Sequence, residues 1–543
     1  MKTISFVFVA LFVGTTACAQ DKTSEIDKIF KWTSPTAPGC VCAVSQSGKV
    51  VVNRAYGSAD MERDVPLNTN SVFDIGSLMK QFVAAATLIL VQDGKLSLSD
   101  DIHKYIPELP DYGHKITIDN LLTHTSGIRD WSGLLPFAPK GTDVWNLILR
   151  QRELNAIPGE EWSYSSSGFV LAREIVARVS GMSFSDFTRK RMFDPLGMKS
   201  TSFTENMRDI IKNRALAYDR DVTGWRMAML LDNNRAGGGI LSTASDLLIW
   251  NDALTNNQLG KFVSEKLQEP TKLNNGRRVD YGRGLFIDKF RGSSEVAHTG
   301  SADGYKSYLG RYPEYGLSIA ITCNSGDGTD RRNFAHQVFD LFVPEKKNEP
   351  AETGAPPIPK PEDTAGMDLN SKAGFYFSEK TNEPLQLGVD RGRLRIVGGP
   401  GFVPTGNNLF KRWGASVMFM SQDEFELHFI SNDLLELKSM EGKITRYRRA
   451  RSYTPTTQEL NAFVGRYESK EIGSVFQIKV EKDGLVVTIE HNPDQSLPLK
   501  PVDTDAFQVS RILIRFLRDK SGKVVALDYS NPLVRNIKFT KLH

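Results

Sequence analysis

The sequence predicts an α/β (α+β) domain, with an antiparallel sheet and a helical subdomain, followed by two small all-β barrel domains. Three observations support this prediction. Strand patterns lie at both ends of the first 345 residues with helical patterns between them, a proline-rich segment follows, and the remaining chain carries short alternating strands in two similar copies. A length of 543 residues also fits several domains better than one.

The two ends of the first domain, residues 20–345, carry its strands. Residues 39–52 form a hairpin pattern around a Ser47-Gly48 turn, and residues 307–322 form another around Pro313 to Gly316. Helical patterns cover residues 82–91, 168–179, 246–254 and 332–343. We therefore expect one sheet assembled from both ends, with helices inserted between its halves.

The segment after this domain changes in character. Residues 346–367 contain Pro350, Pro356, Pro357, Pro359 and Pro361 among polar residues, which is typical of an extended linker. Domains at 368–451 and 455–543 follow, both with period-2 alternation. Their repeat has a constant offset of 91 residues, in which Leu385, Leu387, Val389, Leu394 and Ile396 correspond to Phe476, Ile478, Val480, Leu485 and Val487. Two lipocalin-like barrels are the interpretation, and chance alternation is the alternative.

The first nineteen residues have the pattern of a signal peptide. Lys2 precedes an apolar run over residues 4–13, and the small-residue site Ala17-Cys18-Ala19 follows. A run of ten residues is shorter than the roughly 20 that span a bilayer, so we expect no transmembrane segment. The predicted location is periplasmic or secreted. Lipoprotein anchoring through Cys18 is the less favoured alternative, because Thr15 stands where such sites usually carry Leu.

Composition and residue counts limit the function. Apolar residues make up 40 %, charged residues 24 %, and the net charge is +4 without a run of like charges, so nucleic acid is not an expected partner. The histidines lack ligand spacing, so we expect no metal and no cofactor.

Cys40 and Cys42 alternate on one strand face and, with Cys323, give an odd count after the signal peptide. We therefore expect buried thiols rather than a disulfide.

One motif carries a candidate nucleophile. Ser77-Leu78-Met79-Lys80 opens an apolar helix, and a spacing of three residues places the lysine amine above the serine hydroxyl. Alone, a serine there is usually a helix cap and a lysine is usually solvated. Because residues 82–90 are apolar nearly all round, Lys80 is expected to be buried, which would lower its pKa and make it a proton acceptor for Ser77.

Two more segments complete the pattern. Tyr164 lies just before a second helix, and His298 follows an apolar strand and precedes Thr299-Gly300. Taken singly, each is more often structural. In this order, however, Ser77-x-x-Lys80, Tyr164-Ser165-Ser166 and His298-Thr299-Gly300 resemble the three motifs of the serine β-lactamase and penicillin-binding protein superfamily. Its class C β-lactamases, D-alanyl-D-alanine carboxypeptidases, D-aminopeptidases and esterases are the members most similar in motif.

The resemblance covers about residues 25–345 and implies a β-lactamase/transpeptidase-like fold with an acyl-enzyme mechanism. It implies that Ser77 is the nucleophile, that Lys80 and Tyr164 share the base function, and that His298 belongs to the catalytic group. The amides of Ser77 and Ser301 would form the oxyanion hole. Ser166, Thr299 and Gly300 would contact substrate. A catalytic domain followed by two barrels also resembles the plan of D-aminopeptidases.

Two departures from the family pattern affect the substrate. Ser166 replaces the usual Asn, which weakens the inference of peptide or β-lactam recognition, and His298 replaces a lysine, which favours peptidase or esterase work. We expect His298 to titrate during catalysis. The predicted substrates are D-amino-acid peptides or amides, as for a D-aminopeptidase or D-Ala-D-Ala carboxypeptidase. A carboxylesterase, a class C-like β-lactamase, and a weakly active ligand-binding or sensor protein are the alternatives. The oligomeric state stays open.

Overall fold

A computed structural model describes residues 14–229, 239–326, 329–343, 367–390, 392–397, 401–406, 408–413, 425–439, 444–451, 453–482 and 484–542. Residues 1–13 of the expected signal peptide and residues 346–366 of the expected linker lie outside these ranges. Within them, no helix has the length and apolar character needed to cross a bilayer.

The strands of the first domain are β1 Cys40–Gln46, β2 Lys49–Tyr56, β3 Ser58–Asp60, β4 Val65–Pro66, β5 Phe73–Asp74, β6 Ser202–Phe203, β7 Tyr218–Asp221, β8 Gly224–Met227, β9 Ile240–Ser242, β10 Thr271–Lys272, β11 Arg278–Val279, β12 Phe286–Phe290, β13 Ser293–Ala302, β14 Tyr305–Tyr312 and β15 Leu317–Cys323. Six of them form one antiparallel sheet in the order β12-β13-β14-β15-β1-β2. The pairing of β1 with β15 joins the two ends of the domain, which confirms the sheet that the sequence predicts.

The helices up to residue 343 are α1 Gly14–Ile29, α2 Met79–Gln92, α3 Ile118–Leu122, α4 Val144–Leu149, α5 Ser166–Ser180, α6 Phe184–Thr188, α7 Asp194–Leu196, α8 Ala244–Thr255, α9 Lys261–Gln268 and α10 Arg331–Phe342. They cover both faces of the sheet. Helices α1 and α10 enclose one core with Tyr308 and Ile321. Helices α2 and α8 contribute to the opposite core with Leu309 and Ala320. Helix α2 lies in the domain interior, since every residue from Lys80 to Leu90 is buried.

The structure corrects the expectation of free cysteines. Cys40 and Cys323 form a disulfide, and Cys42 is a buried free thiol. The two bonded residues lie directly opposite each other in the β1–β15 ladder although 283 residues separate them along the chain. The prediction was wrong because strand periodicity shows that Cys40 and Cys42 share a face, whereas it does not show which distant strand is the neighbour.

Two closed eight-stranded barrels follow. Short helices precede them, α11 Leu369–Lys372 and α12 Thr457–Phe463. The first barrel consists of β16 Gly374–Phe377, β17 Pro384–Asp390, β18 Arg393–Ile396, β19 Gly401–Pro404, β20 Leu409–Trp413, β21 Phe425–Phe429, β22 Leu434–Ser439 and β23 Ile444–Arg449. The second consists of β24 Gly465–Ser469, β25 Ser474–Glu481, β26 Gly484–Ile489, β27 Asn492–Asp503, β28 Ala506–Val509, β29 Ile512–Arg518, β30 Val524–Asn531 and β31 Val534–Lys541. Pairing of the first and last strands closes each barrel, which confirms the predicted class.

The second barrel packs against the first domain. Phe137 of that domain contacts the rings of Phe476 and Tyr529, and all three belong to one apolar core. Arg129 is almost fully buried and donates to Glu471 at 2.7 Å and to the Arg535 carbonyl at 2.8 Å. The barrel thereby covers the segment that follows residue 128, which also borders the candidate site.

Candidate active site

Ser77 lies in a tight turn that the sheet holds in place. It is the middle residue of a 3-10 helix, Gly76–Leu78, directly before α2, so its amide lies at a helix start, where amides lack intrahelical acceptors. Gly76 has φ +54, and a Cβ there would lie 2.7 Å from the Ser301 nitrogen. Only glycine therefore allows this turn to approach β13 so closely, and the approach brings the Ser77 and Ser301 backbones together.

Lys80 lies one turn beyond Ser77 and is buried, as the sequence predicts. Its amine is 3.4 Å from the Ser77 hydroxyl oxygen and 3.4 Å from the Ser166 hydroxyl oxygen. Burial lowers the pKa of Lys80 to about 7, and the nearby Asp130 carboxylate acts in the opposite direction. A substantial fraction of this amine is therefore neutral near pH 7 and can accept a proton from Ser77.

Tyr164 is the second group beside the serine. Its ring lies 4.5 Å from the Lys80 amine, and its buried hydroxyl lies near the Ser77 hydroxyl without reaching full hydrogen-bond geometry. Burial raises the pKa of the Tyr164 phenol, while the Ser77 hydroxyl and Arg331 act to lower it. The phenol therefore remains protonated at neutral pH. In this state it can relay a proton between Lys80 and a leaving group.

Asp130 is a site residue that the sequence reasoning missed. Its carboxylate accepts the Ser166 amide at the start of α5 and the Ser132 amide at 2.8 Å. It is buried, and its charge acts on Lys80. Asp130 therefore positions the first residue of α5, where Ser166 contacts Lys80. In the sequence, the only local indication of this role is the pair of adjacent charges, Arg129 and Asp130, in an otherwise uncharged segment.

His298 belongs to a buried chain of hydrogen bonds. Its Nδ1 lies 2.6 Å from the Thr299 carbonyl, so that nitrogen carries the proton, and its Nε2 accepts from the Tyr281 hydroxyl at 3.4 Å. On the other side, His124 Nδ1 accepts the Ser165 amide at 3.0 Å and Nε2 donates to the Tyr281 hydroxyl at 3.1 Å. The sequence reasoning missed Tyr281 and His124, because the pattern gives no indication that they meet.

The expectation that His298 titrates during catalysis is wrong. Burial and the positive charge of Lys80 lower the pKa of His298 to about 3. The ring also stacks on Phe286, with centroids 4.7 Å apart. His298 is therefore neutral throughout the physiological range and acts as a fixed part of the cleft wall. The sequence does not show that aromatic rings enclose His298, because Tyr281 and Phe286 lie on other segments of the chain.

The end of β13 forms the other wall. Thr299 and Ser301 are half-buried, while Gly300 allows a close approach, because a Cβ there would lie 1.9 Å from the Ile75 carbonyl oxygen. Arg331, at the start of α10, donates to the Ser301 hydroxyl at 3.2 Å. This guanidinium supplies a positive charge near the position where His298 replaces the lysine of the family pattern. The sequence reasoning missed Arg331, since α10 follows β13 by about thirty residues.

Within the part of the chain that the structure describes, no group of three or more His, Cys, Asp or Glu side chains has the arrangement of a metal site. The predicted residues Ser77, Lys80, Tyr164, Ser166 and Ser301 instead lie around one cleft. Their arrangement can deprotonate a serine, attack a carbonyl group and stabilise an oxyanion.

The comparison with protein families agrees with this geometry. The family model described as Beta-lactamase matches residues 28–340, which is more than half of the chain. The chain belongs to the β-lactamase family. It is a serine hydrolase of that family. A second model, described as a domain of unknown function (DUF3471), matches residues 449–541 and so coincides with the second barrel.

Relatives differ in how much of the chain they match. Penicillin-binding protein 4* of Bacillus subtilis is 29% identical over 310 residues, covering 53% of this chain and 68% of that protein. D-aminopeptidase of Brucella anthropi is 26% identical over 533 residues, covering 93% of this chain and 95% of that protein. The second alignment therefore includes both barrels as well as the hydrolase domain.

Solved structures support the fold. The octameric penicillin-binding protein homologue from Pyrococcus abyssi has a TM-score of 0.55 at 24% identity and covers 80% of this chain and 100% of its own. D-amino acid amidase from Ochrobactrum anthropi has a TM-score of 0.52 at 24% identity and covers 59% of this chain and 98% of its own. Both share the β-lactamase/transpeptidase-like fold of the first domain.

Proposed function

We propose that this β-lactamase-family protein is an exported hydrolase that forms an acyl-enzyme on Ser77 and acts on D-amino-acid peptides or amides. The observation that carries the proposal is the buried amine of Lys80, 3.4 Å from the Ser77 hydroxyl and with its pKa lowered to about 7. A buried lysine that is partly neutral at working pH suits a general base and is unnecessary in a merely packed helix.

Acylation follows from this geometry. The Ser77 oxygen attacks the substrate carbonyl carbon while its proton passes to the Lys80 amine. The amides of Ser77 and Ser301 stabilise the tetrahedral oxyanion, and Tyr164 carries the proton on to the leaving amine as the carbon–nitrogen bond breaks. Lys80 and Tyr164 act as a coupled pair, so the function of immediate base is shared between them. Water then attacks the acyl carbon by the same proton route in reverse, which releases the acid and regenerates Ser77.

The substrate class is inferred from relatives and from the cleft. D-aminopeptidase and D-amino acid amidase are names of proteins similar to this chain at 26% and 24% identity. A neutral His298 removes the fixed charge of the family lysine from the cleft, while Arg331 beside Ser301 offers a positive group for a substrate carboxylate. Ser166 offers only a short hydroxyl in place of an amide, which also suits small esters, so ester hydrolysis is the second candidate.

Export is supported by the cysteines as well as by the N-terminal pattern. The Cys40–Cys323 disulfide joins the neighbouring strands β1 and β15, which are the first and last strands of the hydrolase sheet along the chain. Such bonds persist in oxidising compartments. Labelling of free thiols in protein taken from the native host would test this. One reactive thiol after unfolding, Cys42, is the expected result for the processed protein, whereas three would contradict export.

Turnover by Ser77→Ala tests the mechanism. D-alanine amide, a D-Ala-D-Ala peptide, a β-lactam and a p-nitrophenyl ester are offered in parallel to the parent, to Ser77→Ala and to Ser163→Ala, an exposed serine of the neighbouring segment. We expect Ser77→Ala to lose at least about a thousandfold in kcat on every substrate that the parent turns over, with Ser163→Ala unchanged.

The pattern across substrates then decides the class. A higher kcat/KM for D-amides than for the ester supports the proposed function, and the reverse supports esterase work. Undiminished turnover by Ser77→Ala contradicts the acyl-enzyme mechanism. A parent that labels with a fluorophosphonate but turns over none of the four substrates would be a binding protein or sensor, and the proposed hydrolysis would be wrong.

A further inference from the structure

A cavity lies in the hydrolase domain away from Ser77. It has a volume of about 290 Å³ and lies between the end of β14, the start of β15, the β1–β2 turn and the end of α8. Arg311, Asp252, Thr255 and Ser318 line it together with Gly316. Arg311 pairs with Val296 on β13, five residues before Ser301, or roughly 16 Å at about 3.3 Å per residue, so the cavity is separate from the catalytic cleft.

The Arg311 side chain is the unusual feature of this cavity. The residue is only 3% exposed, yet neither of its terminal nitrogens, Nη1 and Nη2, has a hydrogen-bond partner among the described residues. Burial lowers the pKa of the guanidinium to about 10, and no carboxylate offsets this effect. A guanidinium with two unused donors in one plane is the geometry that binds a carboxylate through both of its oxygens.

The same cavity contains an opposite charge that Arg311 does not use. Asp252, on α8, also lines the space, and no ion pair joins it to Arg311 within the described ranges. Burial raises the pKa of Asp252, and the Ser45 hydroxyl acts to lower it. One wall therefore offers donors for an anion and another offers an acceptor for a cation, across a space large enough for a small molecule.

We infer that this cavity binds a small zwitterion, a free amino acid, with its carboxylate on Arg311 and its ammonium group on Asp252. A simple anion would leave Asp252 unpaired and repelled, and a simple cation would leave Arg311 unpaired, whereas a molecule with both charges satisfies each side chain. The proposed reaction releases amino acids of this kind, but the binding inference does not depend on that reaction.

Calorimetric titration of the full-length Ser77→Ala protein tests the inference, because this variant separates binding from turnover. The ligands are D-alanine, L-alanine, acetate and ethylammonium, so each charge is tested alone and together. We expect an alanine to bind with one-to-one stoichiometry and each single-charge ligand to bind at least about tenfold more weakly. Preference for D- or L-alanine would show which configuration the cavity accepts.

Three further substitutions in the Ser77→Ala background locate the site. Arg311→Gln and Asp252→Asn should each weaken alanine binding at least about tenfold, while Lys49→Gln, an exposed charge at the nearby β1–β2 turn, should leave it unchanged. Asp252→Asn is conservative and keeps the test valid if Arg311→Gln does not fold. The inference is wrong if neither alanine binds at about 10 mM, if acetate binds as tightly as alanine, or if Asp252→Asn retains full affinity. None of these outcomes concerns Ser77 chemistry, so the proposed function is tested separately.

Discussion

The second barrel (β24–β31) shares a core with the hydrolase domain, whereas the first barrel (β16–β23) packs on the second. Leu134, Phe137 and Leu147 of the hydrolase domain belong to the same apolar cluster as the interior of the second barrel. The outer side chains Phe375 and Phe377 of the first barrel instead contact Val502, Ala506 and Leu513 of the second. The two copies therefore share a strand order but differ in what they cover.

Arginine contacts show the same contrast. Arg129, 1% exposed, joins the hydrolase domain to Glu471 and to backbone carbonyls of the second barrel. Arg448, 17% exposed, joins the first barrel to Asp503 of the second and pairs with Glu379 of its own barrel. Asp130 follows Arg129 directly and contacts Ser166, so the second barrel contacts a residue adjacent to the candidate site. The two similar barrels thus differ in their contacts: the second packs on the hydrolase domain beside Asp130, and the first packs on the second.

Arg129→Met should have the largest effect. It leaves the Glu471 carboxylate and two carbonyls without their buried donor, so we expect a loss of about 3–5 kcal/mol in stability. It should also lower kcat/KM about tenfold or more, because Asp130 and Ser166 lose their support. Arg448→Met is the matched control, with a cost of about 1 kcal/mol and unchanged kcat/KM. Thermal unfolding and steady-state kinetics measure both; equal effects of the two substitutions would refute the contrast between the barrels.

Asn155→Ala should have a smaller effect of the same kind. The Asn155 amide donates to the Leu533 carbonyl at 2.7 Å and its oxygen accepts the Arg535 amide at 3.0 Å, so it connects the hydrolase domain to the β30–β31 turn. We expect a cost of about 1–2 kcal/mol in thermal unfolding and a smaller loss of kcat/KM than for Arg129→Met. Asn432→Ala, at an exposed position of the first barrel, is the control and should change neither quantity. A neutral Asn155→Ala would mean that the apolar cluster and Arg129 hold the second barrel without help from this contact.

An interaction can be predicted from the sequence when its partners lie within a few residues of each other, and it is missed when they lie far apart along the chain. Helix α2, the contact between Ser77 and Lys80, and both barrels depend on periodicity within a few residues, so local patterns predict them. The Cys40–Cys323 bond depends on a strand pairing across nearly the whole hydrolase domain, which no local pattern records. Asp130 and Tyr281 acquire their importance only from neighbours that folding brings close.

The pH dependence of kcat/KM can show whether the two barrels differ in their effect on the candidate site. The Lys80 amine must be neutral to accept the Ser77 proton, and its pKa is lowered to about 7. Activity should therefore fall about tenfold per pH unit well below 7 and level off above it. His298→Gln should leave the position of this acidic limb unchanged, because the lowered pKa of His298, about 3, keeps the ring neutral throughout.

Asp130→Asn should move the acidic limb to lower pH. The carboxylate raises the pKa of Lys80, so its removal favours the neutral amine at more acidic pH, whatever happens to the plateau rate. If the second barrel acts on the site by holding Asp130 in place, Arg129→Met should shift the limb in the same direction and by less, while Arg448→Met should not shift it. A limb that keeps its position in Asp130→Asn would show that this carboxylate does not act on Lys80. If the acidic limb moves in Asp130→Asn but not in Arg129→Met, the second barrel stabilises the fold without acting on Lys80.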